Sequence, residues 1–302
     1  MDRVQRLEEE VRQLQERLSD LTEAVRDLKA VAFAGAHPVE ALLAQRGYSV
    51  RAHSDSTRLL LPPNISHEGR DSFYKLLRRY SFRLFLRELI QFPCGPDVSG
   101  VSRYCSPRTA RSYLTALSLL GIARMDAGGG YELIPRHVIS FGPSLEWYVC
   151  EVLRREFLAP ALSSVRLHAT REGGDYDVVA LLDRRLVYVE VKSSPPRGIE
   201  KSAMSAFLKR VGELRPDVAI FLVDTHLRMK DKIVPMLEEA MAAAPAKGTP
   251  DDRAVRRLVN EIFHVEHTLY VANSRNGIYS NLRACVHDHS RSPGKGRLPG
   301  RE

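Results

Sequence analysis

The chain has 302 residues, of which 44% are hydrophobic and 27% charged, close to ordinary globular values. That excludes a mainly disordered chain, and the length suggests about two domains. Lys and Arg number 45 against 37 Asp and Glu, a net charge of +8, which points to an acidic partner such as nucleic acid and says nothing about fold.

No uncharged apolar run approaches the ~18 residues of a membrane span, so no membrane association is expected. The N-terminus is charged from Asp2 onward, so no signal peptide is expected. Cys94, Cys105, Cys150 and Cys285 are scattered, with no C-x-x-C pair. That pattern fits a reducing cytoplasm rather than a zinc or disulfide framework.

Residues 1–31 carry the most regular pattern. Val4, Leu7, Val11, Leu14, Leu18, Leu21, Val25 and Leu28 alternate spacings of three and four, giving four heptads. Val predominates at a and Leu occupies every d, the pattern of a parallel two-stranded coiled coil. The facing e and g residues make poor charge pairs, so a homodimer through residues 4–28 is expected rather than a chosen hetero-partner. Residues 32–71 read as a connector. A helix, VEALLAQR, precedes two strand-like runs in YSVRAHSDSTRLLL that suggest a hairpin.

Residues 72–138 form a coherent unit. FYKLLRRYSFRLFLRELIQF is amphipathic and ends at Phe92-Pro93. A short helix, VSGVSRYC, precedes SPRTARSYLTALSLLG, where Ser106 suits an N-cap, Pro107 the first helical turn and Gly121 a stop. IARMDAGGGYELI then reads as two short strands around a glycine tip. This order resembles a winged helix-turn-helix. The resemblance implies that the helix from Pro107 enters the DNA major groove, with Arg103, Ser106, Arg108, Thr109, Arg111 and Ser112 near bases or phosphates. Nine basic residues against three acids between Arg70 and Arg111 fit that reading.

Residues 139–280 hold the chemical centre. DYDVVALL and RLVYVEVK are strand-like runs joined by a tight turn. Glu190 and Lys192 are two apart, so they share one strand face, while Val187, Val189 and Val191 take the other. Asp177 begins the neighbouring strand, where a hairpin carries it toward Glu190. Carboxylates brought together repel, and a divalent cation relieves the repulsion.

This pattern resembles the PD-(D/E)xK nuclease superfamily, with Asp177, Glu190 and Lys192 at its three motif positions. The resemblance implies a restriction-endonuclease-like α/β domain with a mixed central sheet flanked by helices. It also implies Mg2+, with Mn2+ as a substitute, held by Asp177, Glu190 and the Val191 carbonyl. FGPSLEWYVCEVLRREF matches the family's first core helix, whose metal-site glutamate is assigned to Glu146, with Glu151 as the alternative. Tyr176 stands where the family name has Pro. No Q-x-x-x-Y pair follows Lys192, which favours an endonuclease over that exonuclease branch. The helix IEKSAMSAFLKRVGEL and strand DVAIFLVD continue the family order.

Beyond this point AVRRLVNEIFHVEH reads as a helix and TLYVANS as a strand. His264, His267, His287 and His289 lack cysteine partners and are read as satisfied or exposed. Residues 281–302 are expected to form a basic, disordered tail. The expectation is therefore a coiled coil, an α+β winged-helix domain and a nuclease-like domain. Together they form a cytoplasmic, nucleoid-associated DNA endonuclease without a nucleotide cofactor site. The alternatives are a non-cleaving DNA-binding regulator, or a nuclease for RNA or single strands.

Overall fold

The computed structural model describes residues 11–15, 17, 21, 37–168, 173, 175–243 and 254–292. Residues 11–15, 17 and 21 are helical and exposed; the rest of the heptad stretch lies outside the described residues.

An eight-stranded mixed sheet organises the fold. Its strands are β1 (Val50–Ala52), β5 (Ala161–Leu167), β6 (Asp175–Leu182), β7 (Arg185–Lys192), β8 (Val218–Val223), β9 (Arg256–Val259), β10 (Ile262–Val265) and β11 (Leu269–Asn273). They lie in the order β1-β5-β6-β7-β8-β11-β10-β9. The β7–β8 and β8–β11 pairs are parallel. β8, VAIFLV, is buried at every position, as expected of a central parallel strand covered on both faces.

Helices cover the two faces. On one side lie α1 (Pro38–Gln45), α6 (Lys201–Leu214) and α7 (Ile233–Ala243), packed against Tyr188, Phe221 and Val271. On the other lie α5 (Gly142–Glu156) and α8 (Ile278–Arg291), packed against Val187, Val189 and Ile220. The alternation expected for β7 is therefore present, with Val187, Val189 and Val191 on one face and Leu186 and Tyr188 on the other.

The segment before α5 contains α2 (His67–Leu77), α3 (Tyr80–Gln91), a 3-10 turn (Val98–Val101) and α4 (Pro107–Leu119). A three-stranded sheet follows from β2 (Cys94–Gly95), β3 (Ala123–Met125) and β4 (Tyr131–Leu133), in the order β2-β4-β3. Its core is continuous with the α5 face of the large sheet: Phe73, Phe82, Tyr113 and Leu114 belong to the same apolar cluster as Trp147 and Val189.

Several expected elements change form. The long amphipathic run is two helices, because the chain is extended at Arg79 (φ −85°, ψ 120°) before α3 restarts. Among its described residues the connector holds no hairpin. Only Val50–Ala52 is a strand, and it pairs with β5, far along the chain. The second run instead sends Leu60 and Leu61 into the core. VSGVSRYC gives only a 3-10 turn.

AVRRLVNEIFHVEH is not a helix but the β9–β10 hairpin, turned at Asn260 in the left-handed region (φ +51°). Its Val and Ile content suits a pleated sheet, and β10 is buried at all four positions. The basic tail is also corrected. Through Arg291 it is the C-terminal part of α8, held by Ile278, Leu282 and Cys285 against the sheet. Residues 293–302 lie outside the described residues.

Candidate active site

Three neighbouring strands bring the site together. The two-residue turn between β6 and β7 has both Asp183 and Arg184 in the left-handed region, the backbone required by a tight hairpin that matches strand twist. The ladder then runs to Val178↔Val189, so Asp177 and Glu190 come next, side by side. On the opposite flank, Ser163↔Val178 and Val165↔Tyr176 bracket Ser164, which stands opposite Asp177. Ser164 is itself left-handed (φ +49°), and its hydroxyl donates to Glu146 Oε2 at 2.7 Å. Glu146 descends from α5. The three acids named from sequence therefore lie at one end of the β5–β6–β7 strip, although their ligating oxygens do not all come within 4.8 Å of one another.

Their electrostatics differ. Asp177 accepts the Val191 backbone N–H at 2.7 Å. Burial pushes its carboxyl well above the ordinary value, and the charges of Glu190 and Glu146 push it further. Glu146 is also raised, chiefly by burial. The ionised forms of Asp177 and Glu146 are thus opposed by burial and by neighbouring charge.

Glu190 has a different environment. It is buried, and three donors engage it. The Tyr188 hydroxyl bonds Oε2, Lys192 Nζ bonds Oε1 at 2.6 Å, and Arg210 Nη1 reaches both oxygens at 3.2 and 3.1 Å.

This arrangement bears directly on metal binding. Asp177 and Glu146 suit a hard divalent cation: both are oxygen donors raised by burial and then by neighbouring negative charge, and each receives one donor from the described residues. Glu190 suits it less well, since a cation would have to displace Lys192 or Arg210. The Val191 N–H serves Asp177.

Glu151, the alternative to Glu146, is engaged elsewhere. It pairs with Arg154 at 3.1 Å and Arg155 at 2.7 Å. Arg155 also reaches Asp71, and Arg154 donates to the Ala161 carbonyl at 2.7 Å. Lys201, another basic residue of the helix after Lys192, pairs with Glu239 at 2.7 Å.

Two participants escaped sequence reading. Tyr188 lies two residues before Glu190 on the same strand face, and that period-two spacing was the available signal. Arg210 follows Phe207 by three and precedes Leu214 by four, on the α6 stripe that packs on the sheet. That i, i+3, i+4 position was the available signal.

The proposed nucleic-acid residues separate into two groups. Ser106 and Thr109 build the N-terminus of α4. The Ser106 hydroxyl accepts the Thr109 backbone N–H at 3.2 Å, and the two hydroxyls lie 2.9 Å apart. Arg103, Arg108, Arg111 and Ser112 are exposed, with the Arg103 guanidinium 5.4 Å from the Tyr104 ring centre.

The basic cluster upstream is partly internal. Arg83 is 1% exposed. Its Nε reaches both Asp224 oxygens at 3.0 and 2.9 Å, and its Nη2 reaches Oδ1 at 2.8 Å. Arg87 also bonds Asp224. Burial raises Asp224, but the two guanidiniums outweigh it and hold the carboxyl below its ordinary value. These arginines join α3 to the end of β8 and are not a free surface charge.

No protein-family model and no curated protein matches this chain. Among solved structures, the crystal structure of protein VC1899 from Vibrio cholerae is similar at 13% identity and a TM-score of 0.48, covering 86% of this chain and 62% of that one. Can2 from Sulfobacillus thermosulfidooxidans, solved in complex with cyclic tetra-adenylate, is similar at 11% identity and a TM-score of 0.43, covering 82% of this chain and 60% of that one. The chain thus spans about three fifths of each of these structures. No described helix is long and apolar enough to cross a membrane.

Proposed function

We propose that this chain is a Mg2+-dependent DNA endonuclease of the PD-(D/E)xK type that acts as a homodimer. The observation that supports the reading is the placement of Asp177 between Ser164 and Glu190 in register, with Glu146 bonded to Ser164 and Lys192 to Glu190. Asp177 and Glu146, joined by Glu190 once Lys192 parts from it, would hold the ion, with the Val191 carbonyl as a further donor; Mn2+ would substitute. When bound, such an ion polarises a phosphate and lowers the pKa of its water.

The chain's own groups supply the rest. Lys192, released from Glu190, donates to a phosphate oxygen or the attacking water. Arg210 offsets charge on Glu190 when Lys192 turns away. Ser164 fixes the orientation of Glu146 by its hydrogen bond.

DNA would be held by the segment from α2 to β4, read as a winged helix. α4 would enter the groove, and Arg103, Arg108 and Arg111 would contact the backbone or base edges. Residues 4–28 would pair two chains and so supply an active site for each strand. The setting would be cytoplasmic and nucleoid-associated.

A second reading is a DNA-binding regulator that does not cut. It is favoured by the Tyr188, Lys192 and Arg210 donors that already satisfy Glu190. One experiment separates the two. The protein is incubated with supercoiled, linear, single-stranded and branched DNA and with RNA, in Mg2+, Mn2+ or EDTA. Metal-dependent DNA cleavage that disappears in Asp177→Ala and Lys192→Ala supports the nuclease. Cleavage that survives both substitutions refutes the site. Tight duplex binding without any cleavage establishes the regulator, and cleavage of RNA or single strands alone redirects the substrate.

A further inference from the structure

The far edge of the sheet carries a second cluster of chemical groups that takes no part in the proposed cleavage. β10 delivers His264, which is 5% exposed. The chain then turns through Glu266 and His267, both left-handed (φ +50° and +56°). Two consecutive left-handed residues make the tight turn of the β10–β11 hairpin, closed by the Thr268 N–H to the Val265 carbonyl at 3.1 Å. The turn lays the His267 ring on His264, with centroids 4.1 Å apart and planes 30° apart. The last turns of α8 bring Asp288 to the same point, and its Oδ2 lies 2.7 Å from His267 Nδ1.

We propose that His264, His267 and Asp288 bind a late first-row divalent metal ion of the zinc class. One ligand atom from each residue lies within 4.8 Å of the other two, close enough for one ion to be shared after small side-chain adjustment. Two imidazoles and one carboxylate select zinc, cobalt, nickel or iron over the oxygen-seeking Mg2+. With three protein ligands, a position is left for water or a ligand.

The surroundings support ligation. His264 is buried at the base of the cluster. Its Nδ1 accepts the His267 backbone N–H at 3.2 Å, a contact that a cation can replace. The hydrogen bond between His267 and Asp288 is replaced in the same way.

The second layer is in place without any ion. The Tyr270 hydroxyl lies 2.9 Å from Asp288 Oδ2 and 2.8 Å from the His267 carbonyl, with its one proton available to either acceptor. His289 Nδ1 lies 2.8 Å from that same carbonyl. Such partners orient ligands and are worth 10–100-fold in affinity elsewhere. The ion would staple the β10–β11 hairpin to α8, two elements distant from Asp177 in the chain.

The test uses the full chain without a polyhistidine tag, stripped with chelator and titrated with Co2+, read by visible absorption and by metal analysis after desalting. About one tightly held Co2+ per chain is expected, and Zn2+ should displace it. Asp288→Asn, which keeps an oxygen for Tyr270, and His264→Ala should each weaken binding at least tenfold, consistent with loss of a ligand. His287→Ala, an exposed neighbour, and Asp177→Ala should retain the full equivalent, which separates this site from the proposed nuclease centre. Zn2+ should also raise the melting temperature of the wild type but not of Asp288→Asn, a readout that needs only that the variant unfold cooperatively. Substoichiometric metal on the wild type overturns the proposal, as does a full equivalent on both His264→Ala and Asp288→Asn.

Discussion

Replacing Arg83 with Met removes a guanidinium that is 1% exposed and leaves Asp224, which is 0% exposed, with its charge in the interior. Met keeps the apolar contacts of the arginine stem and leaves the polar head missing. Breaking a buried pair by removing one partner costs roughly 3–5 kcal/mol, because the remaining charge is uncompensated. Arg87 and the Ser274 hydroxyl, the latter at 2.7 Å, still donate to Asp224, so the loss should fall near the lower end, about 3 kcal/mol. With a urea slope of about 3 kcal/mol per molar, the unfolding midpoint should fall by about 1 M.

The assay is equilibrium unfolding followed by tryptophan fluorescence. Trp147 packs on Phe73, with ring centres 5.8 Å apart, and so reports on the same face. The double variant Arg83→Met with Asp224→Leu should recover part of the loss, since it removes both charges. A midpoint shift below about 0.3 M, equivalent to roughly 1 kcal/mol, would refute the reasoning. So would an unchanged midpoint accompanied by a nucleic-acid salt dependence weakened by about one phosphate contact, for then Arg83 would act at the surface.

Three further outcomes are expected. Asp177→Asn can keep an acceptor for the Val191 N–H while removing a charge opposed by Glu146 and Glu190; it should abolish metal-dependent cleavage without lowering the melting temperature in chelator at pH 8, and a drop there would show that the acid cluster is not repulsive. Asp224 is held below its ordinary carboxylate value. Its stabilising contribution is therefore present above about pH 3.9 and lost as pH falls through the folded pKa. Asp224→Asn should accordingly flatten the decline of melting temperature below pH 4, and an undiminished decline would place the acid sensitivity elsewhere. Arg108→Ala with Arg111→Ala should weaken duplex binding and reduce its salt slope by about two with little change in stability; an unchanged slope would remove α4 from the interface.

The site was more legible than the architecture around it. Val187, Val189 and Val191 alternate with Tyr188, Glu190 and Lys192, and a period of two allows only one assignment of faces. α4 was legible because Ser106, Pro107 and Gly121 punctuate it. The β9–β10 hairpin was misread because its Val, Leu, Ile and Phe positions also fit a helical stripe. The left-handed Asn260 and the pairing with β11 decided it. β1 was obscured because its partner, β5, lies more than a hundred residues away, and no local pattern encodes such a pairing.

From sequence alone came the types of chemistry available: Asp177 opposite an E-x-K strand, a helix carrying Glu146, and an excess of arginine upstream. Those depend on residue identity and short spacing. The fate of each charge was decided only by tertiary structure. It turned Arg83 and Arg87 inward onto Asp224, set Arg210 against Glu190, and gathered His264, His267 and Asp288 from a strand, the turn after it and a helix. The physical reason is that counting charges in a sequence ignores desolvation, whereas a buried charge must find a partner. Those partners come from elements that only the folded sheet brings together.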